Sequence, residues 1–214
     1  MTVFRFDRDF GGVPFNKSAA NSNTELLCQA LQTRGSNNTI VFPQDTTFYF
    51  YNGVRVAGLQ HSILQIDGTL HFQRPRRGYV SKFDEEFDHK DHPHPCFACK
   101  NCHNITLTST SGQKGLINGG GPDWWGIPLI GYISIRERRP YLLFFNGTTH
   151  LQINNINLVD APFYNMMLTN VNHSEIHHVN IATRRTKSVT HGMADLVSVD
   201  NIRQHLLNRR HTIV

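Results

Sequence analysis

The sequence predicts an all-β fold, a parallel β-helix with a short capping helix near its start, on three observations. The first is an echo: Leu143–Leu158 returns 23 residues later as Met166–Ile181. His150, Ile153 and Asn157 recur as His173, Ile176 and Asn180, while Leu143, Phe145, Ile156 and Leu158 become Met166, Leu168, Val179 and Ile181. A unit of that length fits one coil of a solenoid, which buries an apolar strip on its neighbours. The second lies inside the unit. Leu151 and Ile153 lead into Asn154-Asn155, and Ile156 and Leu158 follow, so two short strands meet at an Asn turn. The third is composition: moderate hydrophobic content (39%) with frequent Asn and Gly suits a turn-rich β protein. Strands stacked ~4.8 Å apart would align equivalent side chains in ladders.

The elements follow in order. Asp9-Phe10-Gly11-Gly12 opens the ordered part, and Phe4, Phe6, Phe10 and Phe15 supply end-cap packing. A helix comes next: Ser22 and Glu25 have capping-box spacing, Leu26, Leu27, Ala30 and Leu31 form its apolar face, and Gly35 ends it. Strand-like runs cover Thr39–Pro43, Thr47–Tyr51 and Ser62–Phe72, broken by Gly53, Gly58 and Gly68. Gln73–Pro95 mixes cations, carboxylates and histidines and reads as a long loop leaving the solenoid. Strands resume at Asn104–Thr108, Gly115–Gly126 makes a glycine-rich corner, and regular coils begin at Arg139. A third copy is hinted at by Val199, Asn201 and Ile202 and fails at Arg203 and Gln204. The chain divides into a β-helical part, 1–182, and a basic divergent tail, 183–214, which has the look of a truncated coil.

The length of 214 residues allows one sizeable core. No apolar run approaches a membrane span, and Met1–Asp9 carries charge where a secretory leader needs an apolar stretch. Asn16, Asn37, Asn104, Asn146 and Asn172 nevertheless begin Asn-x-Ser/Thr sequons. Of the net charge of +5, the tail supplies +4, its six cations facing only Asp195 and Asp200. A basic end of this kind reads as solvated chain, so nucleic acid is not an expected partner.

Three clusters invite chemistry. Cys96, Cys99 and Cys102 form a Cys-x2-Cys-x2-Cys run flanked by His89, His92, His94 and His103. Cys-x2-Cys is half of a common zinc site, but no second pair follows, and Cys28 is remote. The competing reading is a strand with thiols facing the core, or a local disulfide. Trp124-Trp125 could stack on a sugar ring, although a Trp pair beside glycines more often packs a corner. Asn154, Asn155 and Asn157 read as turn and ladder hydrogen bonding. No metal, cofactor or catalytic residue is assigned from these clusters.

Several motifs then fall in one order: Asp9-Phe10-Gly11, Gly68-Thr69-Leu70, Asn104-Ile105-Thr106-Leu107, Gly115–Gly121 with Trp124-Trp125, Arg139-Pro140, Ile153–Leu158 and Ala161-Pro162-Phe163. Over Arg8–Ala182 this order resembles the polygalacturonases, glycoside hydrolase family 28. The resemblance implies a right-handed single-stranded parallel β-helix of the pectin-lyase-like type, acting outside the cell on α-1,4-galacturonosyl bonds of pectin. It also implies an inverting reaction, in which one carboxyl group assists the leaving group and a second activates water. The family's acidic Asn-Thr-Asp-Gly-x-Asp and Asp-Asp motifs, and the Gly-His-Gly and Arg-x-Lys motifs after them, are absent here. His191-Gly192 resembles the histidine motif only superficially. Asp195 and Asp200 lack the acidic context, and Asn118 stands where the family often has Asp. The expectation is therefore a monomeric N-terminal part of a pectin hydrolase, inactive by itself. A non-catalytic pectin- or glycan-binding β-helix is the alternative, and a metal-stabilised module built on Cys96–His103 is a third reading.

Overall fold

The left-handed corner expected at Asn155 is present, with φ 55°, and the whole fold is built on corners of this kind. A computed structural model describes residues 1–74, 94–112, 115–125 and 139–183, which wind into a right-handed parallel β-helix. The described elements begin with β1 (Thr2–Arg5), α1 (Phe6–Asp9), a 3-10 turn at Lys17–Ala19, α2 (Ala20–Ala30) and a π-type turn at Leu31–Gly35. Strands β2 (Asn38–Phe42), β3 (Thr47–Phe50), β4 (Val54–Ala57), β5 (Gln60–Ile66) and β6 (Thr69–Phe72) follow. Next come β7 (Phe97–Lys100), β8 (His103–Thr108), β9 (Leu116–Asn118) and β10 (Leu143–Asn146). The described coils end with β11 (Thr149–Asn154), β12 (Asn157–Val159), β13 (Met166–Thr169), β14 (Asn172–His177) and β15 (Asn180–Ala182).

Each of the four complete coils contributes one strand to each of three parallel sheets, β1 adds to sheet A alone, and β14 and β15 add to sheets A and B. Sheet A runs β1-β2-β5-β8-β11-β14, sheet B runs β3-β6-β9-β12-β15, and sheet C runs β4-β7-β10-β13. The registers Leu143↔Met166, Ile153↔Ile176 and Asn157↔Asn180 reproduce the 23-residue echo in all three sheets. Inward positions stack like on like: Ile40, Leu64, Leu107 and Ile153 in sheet A, Phe48, Leu70, Ile117 and Leu158 in sheet B, and Val54, Phe97 and Leu143 in sheet C are all buried. Burying each such side chain contributes roughly 1.5–3 kcal/mol.

The corners form ladders too. Asn37, His61, Asn104, His150 and His173 occupy one position on successive coils entering sheet A, with φ of 60°, 50°, 54°, 56° and 55°. Three residues earlier, Gly58, Asn101, Gly147 and Asn170 are left-handed as well. Asn, His and Gly tolerate this region better than β-branched residues. Between sheets A and B, Asp67 is nearly buried and accepts hydrogen bonds from Thr110 N (2.6 Å), Ser109 Oγ (3.0 Å) and Gln65 Nε2 (2.6 Å). Burial opposes its ionisation, but these donors together outweigh it and hold the carboxyl below its ordinary range.

Four expectations are corrected. The ordered part begins at β1, before Asp9, because β1 pairs with β2 along the edge of sheet A. The helix starts before Ser22: Asn16 Oδ1 caps the 3-10 turn through Ser18 N, Ser22 Oγ donates to Ala19 O, and Glu25 accepts from Asn21, so no capping box forms. A strand, β4, fits between Gly53 and Gly58, too short to show a period. Phe15 is 66% exposed, whereas Phe6 is fully buried and carries the end cap, its ring 5.1 Å from those of Phe42 and Phe48. The face of α2 buries Leu27 and Ala30 in the same core cluster as Phe6. Buried Asn23 and Thr24 donate to Tyr49 O and Tyr51 O, which ties the helix to the coil below. The tail 183–214, with Asp195 and Asp200, lies outside the described residues after Thr183.

Phe6→Ala empties the centre of the cap and should cost about 3–5 kcal/mol, read as a lower urea midpoint with an unchanged slope. Asp67 has a depressed folded-state pKa, so its contribution is full above the unfolded value near ~3.9 and is lost as pH falls through the folded value. Asp67→Asn should therefore destabilise the chain at neutral pH and flatten the acid limb of its stability curve below about pH 4. Parallel acid limbs in the two proteins would contradict this account.

Candidate functional site

Two long connections join sheet B to sheet C at one corner, on adjacent coils. One follows β6 and the other follows β9. Their described ends clasp each other: Arg74 places its guanidinium 5.0 Å over the Trp124 ring and donates to Asp123 O at 2.8 Å. Trp124 is 4% exposed, and half-buried Trp125 donates through Nε1 to Ala161 O at 3.1 Å. The glycine-rich corner makes this packing possible. At Gly120 the backbone is left-handed (φ 65°) and a Cβ would lie 2.4 Å from Phe72 O; at Gly121 it would lie 2.1 Å from the Trp125 ring. The Trp pair is thus a corner packing unit. The recess beneath it, lined by Phe50, Asn52, Phe72, Cys96, Trp124 and Pro140, holds about 10 Å³, room for about one water and no sugar ring.

The outer face of sheet C is different. Ala98, Phe144 and Met167 stand in register on successive coils and are covered by Tyr141 with Phe163 and Tyr164. Tyr141 stacks on Phe144 (6.2 Å, 17°) and on Tyr164 (5.9 Å, 13°), and Phe163 lies 4.1 Å from Tyr164. Arg139 sits 5.2 Å over the Phe163 ring. Tyr141 and Phe144 are buried, whereas Arg139, Phe163 and Tyr164 remain partly exposed. Burial pulls the Arg139 guanidinium below its ordinary value, and burial with Tyr164 nearby pushes the Tyr141 phenol up, so at neutral pH the first is a cation and the second neutral. Arg55 and Lys100 lie on the outer positions of β4 and β7, and the described strands of sheet C carry no carboxylate. A planar guanidinium suits a carboxylate, and flat aromatic faces suit the C–H groups of a pyranose.

The cysteine run and its flanking His103 face different sides of the coil. Cys96, Cys99 and Cys102 are buried, while His103 is exposed on the outside of sheet A. Sulfurs of Cys99 and Cys102 lie 2.6 Å apart across the turn from β7 to β8. Burial pushes the Cys96 and Cys99 thiols up; the hydrogen bond from Cys99 draws Cys102 down. His94 is buried beside the Arg55 guanidinium at 3.4 Å, and Cys28 is remote in α2. Among the described residues no three His, Cys, Asp or Glu side chains converge as a metal site, and His89, His92 and His191 fall outside those residues. Asn154 accepts from Thr108 and Asn155, and Asn157 accepts from Asn180, so the Asn cluster serves corner and ladder bonding. Sequence reasoning missed the Arg139–Tyr141–Phe163–Tyr164 patch. A signal existed: the same 23-residue step carries Tyr141 to Tyr164.

Thiols this deeply buried should resist alkylation. Iodoacetamide at neutral pH is expected to leave Cys96 and Cys99 unmodified in the folded chain and to label both in denaturant, as read by peptide mass spectrometry.

Comparison with known proteins gives a consistent result. The model of glycosyl hydrolases family 28 matches residues 38–205. A probable endo-xylogalacturonan hydrolase A of Emericella nidulans is 26% identical over 149 residues, 68% of this chain and 33% of the relative. The endo-xylogalacturonan hydrolase A of Aspergillus tubingensis is 24% identical over 145 residues, 67% of this chain and 32% of the relative. The chain thus spans about a third of the length of these curated relatives. Its fold is similar to the crystal structure of the Aspergillus tubingensis endo-xylogalacturonan hydrolase, with a TM-score of 0.66 and 19% identity over 87% of this chain and 45% of that one. A hyperthermoactive exopolygalacturonase from Thermotoga maritima matches with a TM-score of 0.60 and 12% identity, over 87% of this chain and 48% of that one.

Proposed function

The chain belongs to glycosyl hydrolases family 28, and on that premise we propose that it forms the N-terminal β-helical part of an extracellular enzyme that cuts the galacturonan backbone of pectin. The observation that carries this reading is the outer face of sheet C. It carries Arg139 over the partly exposed Phe163 ring beside Tyr164, with Arg55 and Lys100 at outer positions of β4 and β7 and no carboxylate on its described strands. An acidic sugar polymer is attracted to such a face; a neutral one gains only the aromatic contacts. The names of the curated relatives favour a galacturonan, with or without xylose branches.

In this proposal hydrolysis inverts the anomeric centre. One protonated carboxyl group assists the leaving oxygen, and a carboxylate ~6.5–9.5 Å away activates water. The 214 residues contain no Asn-Thr-Asp-Gly-x-Asp segment to supply that pair. The chain alone therefore binds the polymer and leaves it intact, and the acids belong to coils beyond it. A purely binding β-helix is the second reading, favoured by the same missing motif. Sequencing the transcript past the codon for Val214 separates the two: a frame continuing into the acidic motif supports the hydrolase.

Purified chain should bind polygalacturonate and xylogalacturonan saturably, show no affinity for a neutral β-glucan, and release no reducing ends. Arg139→Ala should weaken binding by about tenfold, the loss expected for a charge-assisted contact of ~1.5 kcal/mol, with an unchanged unfolding midpoint. Equal affinity for the neutral glucan would overturn the substrate class. Reducing ends released by the chain itself would overturn its role as a binding part.

A further inference from the structure

The corners from sheet C to sheet A each turn the chain between two inward side chains three residues apart. Strand register aligns Val56, Cys99, Phe145 and Leu168 on the sheet C side of these corners. On the sheet A side the aligned residues are Leu59, Cys102, Thr148 and Val171, and all of these positions are buried. The coil below fills the place with Val56 and Leu59, and the coil above with Phe145 and Thr148. Between them two thiols face each other, their sulfurs 2.6 Å apart.

The turn is held from both sides. Asn101 takes the left-handed region, with φ 50°. Gly58 N donates to Lys100 O at 2.9 Å and His103 N to Leu59 O at 2.8 Å, which ties the turn to the coil below. Asn101 N donates to Asn146 O at 2.8 Å and Thr149 N to Cys102 O at 2.9 Å, which ties it to the coil above. Parting the sulfurs by moving the backbone would break bonds to both neighbours.

The chemistry open to this pair is narrow. Among the described residues no third His, Cys, Asp or Glu joins the two as a metal site. A disulfide needs sulfurs ~2.05 Å apart, which small side-chain rotations supply from the present spacing. The hydrogen bond from Cys99 draws the Cys102 thiol down while burial pushes Cys99 up, so Cys102 ionises first. Cys28 in α2 and Cys96 before β7 make no sulfur–sulfur contact among the described residues.

We propose that Cys99 and Cys102 are a cross-linking site, closed by a small-molecule disulfide such as glutathione disulfide into a bond that staples β7 to β8. The Cys102 thiolate attacks one sulfur of glutathione disulfide, and a glutathione thiolate leaves and takes up a proton. Cys99 then loses its proton and attacks the Cys102 sulfur, which releases the second glutathione. Two protein thiols and one glutathione disulfide thus become one protein disulfide and two glutathione thiols, with two electrons passed to glutathione. Such a bond persists in an oxidising compartment. It rests on the corner alone and does not depend on the function proposed for sheet C.

The test incubates the whole folded chain with oxidised and reduced glutathione at about pH 8, in urea well below the unfolding midpoint, so that the corner opens transiently. Remaining thiols are blocked with iodoacetamide in denaturant, and linkages are read by peptide mass spectrometry without reduction. Trypsin cuts after Lys100, between the two cysteines, so the bond would hold two peptides together. The expected product is a Cys99–Cys102 linkage with Cys28 and Cys96 alkylated. The equilibrium constant for closing should be at least tenfold lower in the fully unfolded chain, where nothing holds the turn. In Cys102→Val, which places in this column the residue already present at Val171, the linkage should vanish and Cys99 should be alkylated. Alkylation of both Cys99 and Cys102 in the oxidised folded chain, equal closing in the unfolded chain, or a bond from either cysteine to Cys28 or Cys96 would each overturn the proposal.

Discussion

Every coil must close on the one below with its backbone hydrogen bonds in register, and the rest of this molecule depends on that requirement. Parallel strands pair continuously only if each corner turns the chain by the same amount at the same place. Corners therefore repeat as ladders of left-handed residues, seen at Asn37, His61, Asn104, His150 and His173. Asn, Gly and His recur there because their backbones reach that region at low cost. Once the corners are fixed, side-chain direction is fixed as well. Inward positions then stack Ile on Leu and Phe on Leu, and outward positions stack whatever the solvent face requires.

The same requirement decides where the fold can vary. Corners into sheet A are locked on both sides by left-handed residues, and an insertion there would break two ladders. At the corner from sheet B to sheet C, Asn52 and Gly53 form a left-handed pair between β3 and β4, whereas the connections after β6 and β9 are long. Their described ends pack back through Trp124, Trp125 and Arg74, so the solenoid beneath is undisturbed. On sheet C, Phe163 and Tyr164 pack with Tyr141 over Phe144 and Met167, and Arg139 lies over the Phe163 ring.

Much of this was legible in the sequence because ladders are written as repeats. Leu143–Leu158 and Met166–Ile181 are uninterrupted coils, so their period showed directly and predicted the pairing found in all three sheets. Upstream the same architecture was hidden, since the connections after β6 and β9 shift the spacing between equivalent residues. Strand β4 escaped notice because four residues between two glycines carry no period. Strand β1 escaped because its partner edge exists only after the first coil has formed. Capping chemistry at Ser22 and Glu25 was present in sequence yet unused: Asn16 starts the turn earlier, and α2 is positioned by Asn23 and Thr24 against β3 and its corner. The aromatic patch depends on which outward residues lie next to each other on different coils. A repeat reveals that only when outer positions are phased as carefully as inner ones.

Stacking also sets how binding and chemistry can share one solenoid. Coils lie ~4.8 Å apart, so an inverting pair of carboxyl groups at ~6.5–9.5 Å occupies no more than two or three adjacent coils. A carboxylate placed next to Arg55, Lys100 or Arg139 would be held ionised by that cation, which defeats the member of the pair that must stay protonated. If sheet C holds an acidic polymer, as proposed, positions beside its cations are poor places for the acid, and the described strands of sheet C carry no carboxylate. In the proposed enzyme the two tasks separate along the axis: these coils grip the polymer, and others carry the acids.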